Sequence, residues 1–266
     1  MGASAYDLWQ VSIEPVVDLN GDGIVDAADM CIIVDHWGEN YSLCDIGPTP
    51  LGDGIVDVQD LIVLAEHLFE NVNDPTLIAH WALDEASGDV AYDSAGLNDG
   101  TVHGGAVWLP DTGKLNGALQ LDGVDDYVSM GFVLNPAEGP FSVLVWVQGG
   151  APGQAIISEP GGSDWLSLDP LTGHLMTELR GGGRNSSVLV AETTVTDGNW
   201  YRIGFVWDGS HRLLCVDGVA VAEDMQDASK GQFSSLYIGT GRDVAPGTYF
   251  SGLIDDVRIY NRAVKP

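Results

Sequence analysis

No lysine or arginine precedes Lys114. The first 113 residues therefore hold their carboxylates without a basic side chain to pair them, in a chain whose formal net charge is −29. Self-repulsion of that kind opposes a compact state, so this segment folds well only with cations drawn from solution. The same field repels nucleic acid, which is excluded as a partner. With 266 residues the chain can build more than one hydrophobic core, and its 35 glycines and 12 prolines point to many turns. No apolar run is long enough to cross a bilayer, so membrane insertion is not expected. No signal peptide is visible, and Met1-Gly2 reads as a start placed on a piece of a longer protein. Of the three cysteines, Cys31 and Cys44 could bridge in an exported protein, or all three could remain free thiols.

The acid is concentrated in a repeat. GDGIVD occupies residues 21–26 and again 52–57, a spacing of 31, and an apolar stretch of helical length follows each copy, Ala27 to Trp37 and Val58 to Phe69. Calcium takes six to eight hard oxygen ligands, and a twelve-residue loop supplies them from positions 1, 3, 5, 7, 9 and 12. Counted from Asp18, those positions hold Asp18, Asn20, Asp22, the Ile24 carbonyl, Asp26 and Asp29, with Gly23 at the sharp turn. The first loop is therefore expected to bind Ca2+. In the second, Asp53, the Ile55 carbonyl, Asp57 and Asp60 fit positions 5, 7, 9 and 12, whereas Thr49 and Leu51 are poor ligands at 1 and 3. Asp45 could fold back as position 1 across an insertion, or the site could be degenerate and kept as structure.

A calcium loop with an exiting helix but no entering one, present twice over about residues 16–70, resembles the type I dockerin module of bacterial cell-surface systems. The resemblance implies attachment to a cohesin-like protein through loop positions 10 and 11. Here those are Ala27-Ala28 and Val58-Gln59, which differ from each other and from the common hydroxyl-bearing pair. The rival reading is a purely structural unit that recruits nothing.

After Pro75 the pattern changes to strand-sized runs between Gly, Asp and Asn turns: residues 77–85, 118–123, 127–132, 141–148, 200–209, 212–223, 235–240 and 253–260. This pattern predicts an antiparallel β-sandwich, with Asp217-Gly218 as a two-residue hairpin turn. The expected organisation is a tail (1–15), the calcium module (16–70), a linker (71–76) and the β-rich domain (77–266). HWALDEASGDVAYDSAGLNDGTV (80–102), GALQLDGVDDYVSM (117–130), NWYRIGFVWDG (199–209), LLCVDGVAVAE (213–223) and FSGLIDDVRIYNRAV (250–264) resemble the laminin G-like, concanavalin A-like jelly roll of bacterial extracellular proteins. The resemblance implies two antiparallel sheets with the first and last strands side by side. It also implies a third calcium held by Asp93, Asn98, Thr101 and Asp255; the alternative is an Asx-turn loop with no metal.

The same family includes glucanases, whose closely spaced carboxylates alternate along one strand. No such run exists here: Glu159, Asp164 and Asp169 read as parts of a glycine-containing loop, and the pair Asp255-Asp256 should point to opposite faces of a strand. Zinc spacing and a convincing nucleophile setting are also lacking, so no catalytic step is expected and a glycoside hydrolase is the weaker alternative. Trp81, Trp146 and Trp207 lie inside strand patterns and are assigned to the core. Among the loop aromatics Trp108, Trp165 and Tyr249, with Arg180, Arg184 and Asn185 nearby, Trp165 is the candidate sugar platform. The sequence thus reads as a mostly β, calcium-loaded, non-catalytic piece of an exported bacterial protein, extracellular or on the cell surface. Its jelly roll would bind a polysaccharide or another surface ligand.

Overall fold

The computed structural model describes residues 17–21, 25–48, 52–67, 74–180, 187–226, 231 and 234–264. It divides into two compact units, Met1–Pro75 with Val264–Pro266, and Thr76–Ala263.

In the smaller unit the two acidic loops each launch a short helix, α1 (Ala27–Asp35) and α2 (Val58–Glu66). Asp26 and Asp57 are the N-caps, and Asp29 and Asp60 complete reciprocal capping boxes three residues on. Both helices stop at a histidine C-cap, so Trp37 lies in the turn after α1, not within the helix. Two backbone bonds, Gly38 N to Val56 O and Val56 N to Glu39 O, both 2.8 Å, clip one repeat to the other. Val17, Leu19, Val25, Ile33, Leu43, Val56 and Leu64 form the buried apolar set. Cys31 is exposed and Cys44 is buried with Sγ directed at the Ile32 carbonyl; no Cys31–Cys44 bridge forms.

Among the described residues the larger unit contains sixteen strands: β1 (Leu77–Trp81), β2 (Val90–Ala91), β3 (Gly100–His103), β4 (Val107–Leu109), β5 (Ala118–Asp122), β6 (Tyr127–Met130), β7 (Phe141–Gly149), β8 (Ala155–Ser158), β9 (Asp164–Leu168), β10 (His174–Thr177), β11 (Leu189–Thr194), β12 (Trp200–Trp207), β13 (His211–Val216), β14 (Val219–Met225), β15 (Leu236–Ile238) and β16 (Ser251–Tyr260). One sheet runs β14-β13-β12-β7-β16-β5-β4, with β1 also on β16; the other runs β11-β10-β9-β8-β15-β6-β3-β2. Every named pairing is antiparallel, so this is the expected jelly-roll sandwich, with first and last strands paired. Alternate residues of each strand fill the space between the sheets, among them Val143, Val145, Val147, Phe205, Ile254, Val128 and Ile238. Asp217 and Gly218, at φ 48° and 76°, form the expected tight turn.

Two sequence expectations are corrected. Residues 159–169, read as a loop, mostly belong to the β8–β9 hairpin, which closes over five residues through Glu159 N to Ser163 O at 2.9 Å. Asp255 and Asp256 do not point to opposite faces. The register of β16 on β7 shifts between Asp255 and Arg258, and Asp256 adopts φ 48°. This bulge puts both Ile254 and Val257 in the core and leaves both aspartates on the other side. It falls where β16 exchanges one neighbour, β5, for the next, β1.

Candidate functional sites: two acidic loops and an aromatic sheet face

The acidic loops are organised around their last aspartate. Asp29 and Asp60 are 0% exposed. Asp29 accepts from the amides of Leu19 (2.7 Å), Asn20 (3.1 Å) and Asp26 (2.9 Å); Asp60 accepts from Gly47 and Asp57, both at 2.7 Å. At the other end, Asp18 accepts from Gly21 N at 2.8 Å. Its counterpart is Asp45, whose two oxygens take the Asp53 and Gly54 amides at 2.9 and 3.0 Å. Asp45 thus opens the second loop across a longer chain, and Gly52 lies so close that a Cβ there would sit 2.2 Å from the carboxylate. Asp53 binds Ile55 N and Gln59 Nε2, while Asp57 binds Gln59 N. Asp22, Ile24, Thr49 and Leu51 lie outside the described residues. Ala27, Ala28, Val58 and Gln59 are all exposed in the first turns of their helices.

The residues expected to hold a third calcium are each engaged within the protein. Both oxygens of Asp93 serve the backbone: Oδ1 accepts from His80, Ala95 and Gly96, and Oδ2 from Asn98. The Asn98 carbonyl accepts from Trp81 Nε1, and Thr101 is a ladder residue of β3, opposite Val90 and Ser129. Asp255 turns instead to the amides of Lys114 and Leu115, at 2.7 and 2.8 Å. Residues 93–98 form an Asx loop in which Asp93 gathers four backbone amides.

Beside that loop, Ser94 Oγ lies 2.8 Å from His80 Nδ1, and His80 Nε2 lies 2.9 Å from Asp256 Oδ1. The order serine–histidine–aspartate invites a nucleophile reading. The amides needed to stabilise an oxyanion are already committed, Ser94 N to His80 O and Ala95 N and Gly96 N to Asp93. The chain of bonds ties β1, the Asx loop and the bulge of β16 together. Asp256 also accepts from Arg258 Nε at 2.9 Å. Burial opposes its ionisation, but Arg258 and His80 outweigh that and hold it below the usual carboxylate range.

Trp165 is not a surface platform. It is 1% exposed and packs on Phe141 with ring centroids 5.5 Å apart. Asp164 at the edge of the hairpin faces the Arg242 amide, and strand alternation then turns the next residue, Trp165, into the core. Trp108 is buried too, its Nε1 bonded to Gly88 O. Arg184 and Asn185 lie outside the described residues.

A cluster of half-buried aromatic groups lies on the outer face of the second sheet, apart from the more exposed Tyr92 and Phe132. In β6, Val128 and Met130 enter the core, so Tyr127 and Ser129 face outward; in β15, Leu236 and Ile238 turn in and Tyr237 turns out. β3 adds Thr101 and His103 on the same side, since His103 is register partner of Tyr127 and Thr101 of Ser129. His103 stacks on Tyr127 at 4.4 Å and 16°, and its Nε2 meets Ser129 Oγ at 2.8 Å. Tyr237 stands at 75° to Tyr127, 5.4 Å away, and Tyr249 from the loop before β16 adds a third phenol at 6.3 Å. Burial and the neighbouring phenols of Tyr237 and Tyr249 raise the Tyr127 pKa, so the hydroxyl stays protonated at neutral pH.

An acidic turn borders this face. Among the described residues, three carboxylates converge within 4.8 Å only at Asp122, Asp125 and Asp126, just before Tyr127. Asp126 accepts from Gly105 N and Asp122 N, while Asp122 caps Val124 N and Asp125 N. Gly104, at φ 81°, comes so near Asp126 that no side chain would fit. The Tyr249 loop carries Arg242, whose guanidinium pairs with Glu178 and Asp243.

Residues 122–266 match a family described as the concanavalin A-like lectin/glucanases superfamily (Laminin_G_3), and the loop–helix repeats lie outside the match. Domain 4 of an extracellular GH43 arabinanase from Geobacillus stearothermophilus, in complex with arabinotriose, is 21% identical with TM-score 0.50, over 71% of this chain and 94% of that one. The binding domain of Paraclostridial Mosquitocidal Protein 1 is 14% identical with TM-score 0.58, over 72% of this chain and 50% of that one. A Trypanosoma rangeli sialidase mutant displaying trans-sialidase activity is 16% identical with TM-score 0.52, over 76% of this chain and 33% of that one. The present chain thus spans half of the second and a third of the third, and what it shares with all three is the fold. No curated protein matches it in sequence.

Proposed function

The chain belongs to the concanavalin A-like lectin/glucanases superfamily, and on that premise we propose that its jelly roll is a non-catalytic carbohydrate-binding unit of an exported protein. The observation that carries this reading is the outward cluster of His103, Tyr127 and Tyr237, backed by the buried Tyr249, with the Ser129 and Thr101 hydroxyls beside them. Aromatic faces cover the apolar side of a sugar ring, and neutral hydroxyls bond its rim. A similar structure was solved with arabinotriose, which fits a glycan partner. Four of the jelly roll's buried carboxylates support the non-catalytic assignment: Asp93, Asp126 and Asp256 accept from backbone amides or from a fixed partner, and Asp255 accepts the Lys114 and Leu115 amides through one oxygen.

The loop–helix unit binds calcium in the same proposal. Asp18, Asn20, Asp22, Asp26 and Asp29 with the Ile24 carbonyl would hold one ion; Asp45, Asp53, Asp57 and Asp60 with the Ile55 carbonyl would hold another. The donors fit: they are all oxygen, and Asp29 and Asp60 are wholly buried in a segment with no lysine or arginine before Lys114. A bound calcium would neutralise the loops and hold the helix starts in place. The exposed residues Ala27, Ala28, Val58 and Gln59 would then face a cohesin-like partner, in keeping with a dockerin-like role and an extracellular or cell-surface location.

Affinity electrophoresis through gels loaded with soluble polysaccharides tests the jelly roll's role. Tyr237→Ala should weaken retention about tenfold, the order of one well-placed contact residue, while the melting temperature stays within about 1 °C. Unchanged retention of Tyr237→Ala on the glycan bound by the parent chain would reject this face as the site.

A further inference from the structure

The charge around the aromatic face narrows its ligand. Resting on the carbohydrate-binding reading above, we infer that the face accepts neutral polysaccharides and rejects chains bearing uronate, sialate or sulfate. Every group that the face offers is a hydroxyl or an aromatic ring: Tyr127 and Tyr237 with the buried Tyr249 behind them, the Ser129 and Thr101 hydroxyls, and an imidazole stacked on Tyr127 and bonded to Ser129. On one side stand Asp122 and Asp125, both exposed, with Asp126 beneath them. In the loop that carries Tyr249, the guanidinium of Arg242 is already shared by Glu178 and Asp243, and Asp164 accepts from the Arg242 backbone amide. A glycan carboxylate or sulfate arriving there would meet carboxylates first, and a cation only by displacing an existing ion pair.

The rest of the molecule points the same way. With ten basic residues against 39 acidic ones, the long-range field slows the approach of any polyanion. Neutral sugars feel none of this, because their recognition uses stacking and hydroxyl bonds that salt barely screens. The acidic turn thus acts as a fence that costs neutral ligands nothing.

The test is binding of the full chain, at low and at physiological salt, to two panels. One holds linear arabinan, xylan and mixed-linkage β-glucan; the other holds polygalacturonate, heparin and a sialylated mucin. The inference expects retention by at least one neutral polymer, at least tenfold stronger than by any anionic one, little changed by salt and lost in Tyr237→Ala. Comparable or stronger binding to an anionic polymer, with or without added calcium, would overturn neutral selectivity yet leave the carbohydrate-binding reading standing. Retention by neither panel would remove both. Neutral binding that survives Tyr237→Ala would keep the carbohydrate role and overturn this face as its seat.

Discussion

Two adjacent aspartates at the bulge of β16 show how much one backbone irregularity decides. Asp256 is ionised between His80 and Arg258, whereas Asp255 is pushed up to about 9 by burial and by the charge of Asp256, with the Lys114 and Leu115 amides only partly offsetting this. Its Oδ1 is buried without a hydrogen-bond partner. At neutral pH the folded chain therefore keeps a proton there that the unfolded chain, ionising near 3.8, has released. The sign follows: this proton's contribution to stability is complete below the unfolded pKa and is lost as pH rises toward about 9. Asp255→Asn, which imitates the protonated acid, should raise the melting temperature by roughly 5 °C at pH 8 and hardly at all at pH 4. Thermal melts at both values check it. A loss of stability at pH 8 that calcium reverses in the parent chain alone would restore Asp255 as a metal ligand.

At the scale of elements, the two repeats are one device built twice, with an insertion in the second. Each loop ends on a buried aspartate that binds both the loop's own start and the helix cap, so loop closure and helix initiation are coupled. Calorimetric titration of the chelator-stripped chain should find one fewer tight calcium in Asp45→Ala than in the parent. Equal stoichiometry would show the second loop to be structural only. The two loop–helix units were legible because each helix follows the same repeated hexapeptide and its capping aspartate. The same holds for the strands from β5 to β7 and from β12 to β16, where period-two runs are bounded by turns. What stayed hidden depends on neighbours distant in sequence. Trp165 follows a Gly-Gly turn and looks exposed until the pairing of β8 with β9 fixes its parity. The aromatic face needs β3, β6 and β15 side by side, and the last strand lies about a hundred residues beyond the others. The bulge at Asp255-Asp256 is likewise set by an exchange of neighbouring strands that no local pattern announces.

For the whole molecule, the imbalance of charge is sharper than composition states, because several of the ten basic residues are consumed inside the jelly roll. Arg212 is buried against Asp224 and the carbonyls of Leu179 and Ser187; Arg258 is buried against Asp256, and Arg242 is held by Glu178. Few basic groups remain at the described surface, Arg180 among them, so folding compresses a large negative charge and monovalent salt should oppose that cost. Screening acts over a Debye length of about 30 Å at 0.01 M salt and about 3 Å at 1 M, which spans the spacing of surface charges. Melting of the chelator-treated chain at pH 7.5 should therefore rise with sodium chloride, by roughly 5 °C between 0.02 and 0.5 M. Submillimolar calcium should add to this far more than magnesium does at equal ionic strength, because selective coordination, unlike screening, distinguishes the two ions. A melting temperature indifferent to sodium chloride would mean that the carboxylates are spaced widely enough for repulsion not to limit stability. An equal response to magnesium and calcium would mean that the acidic loops act as a diffuse charge and not as built sites.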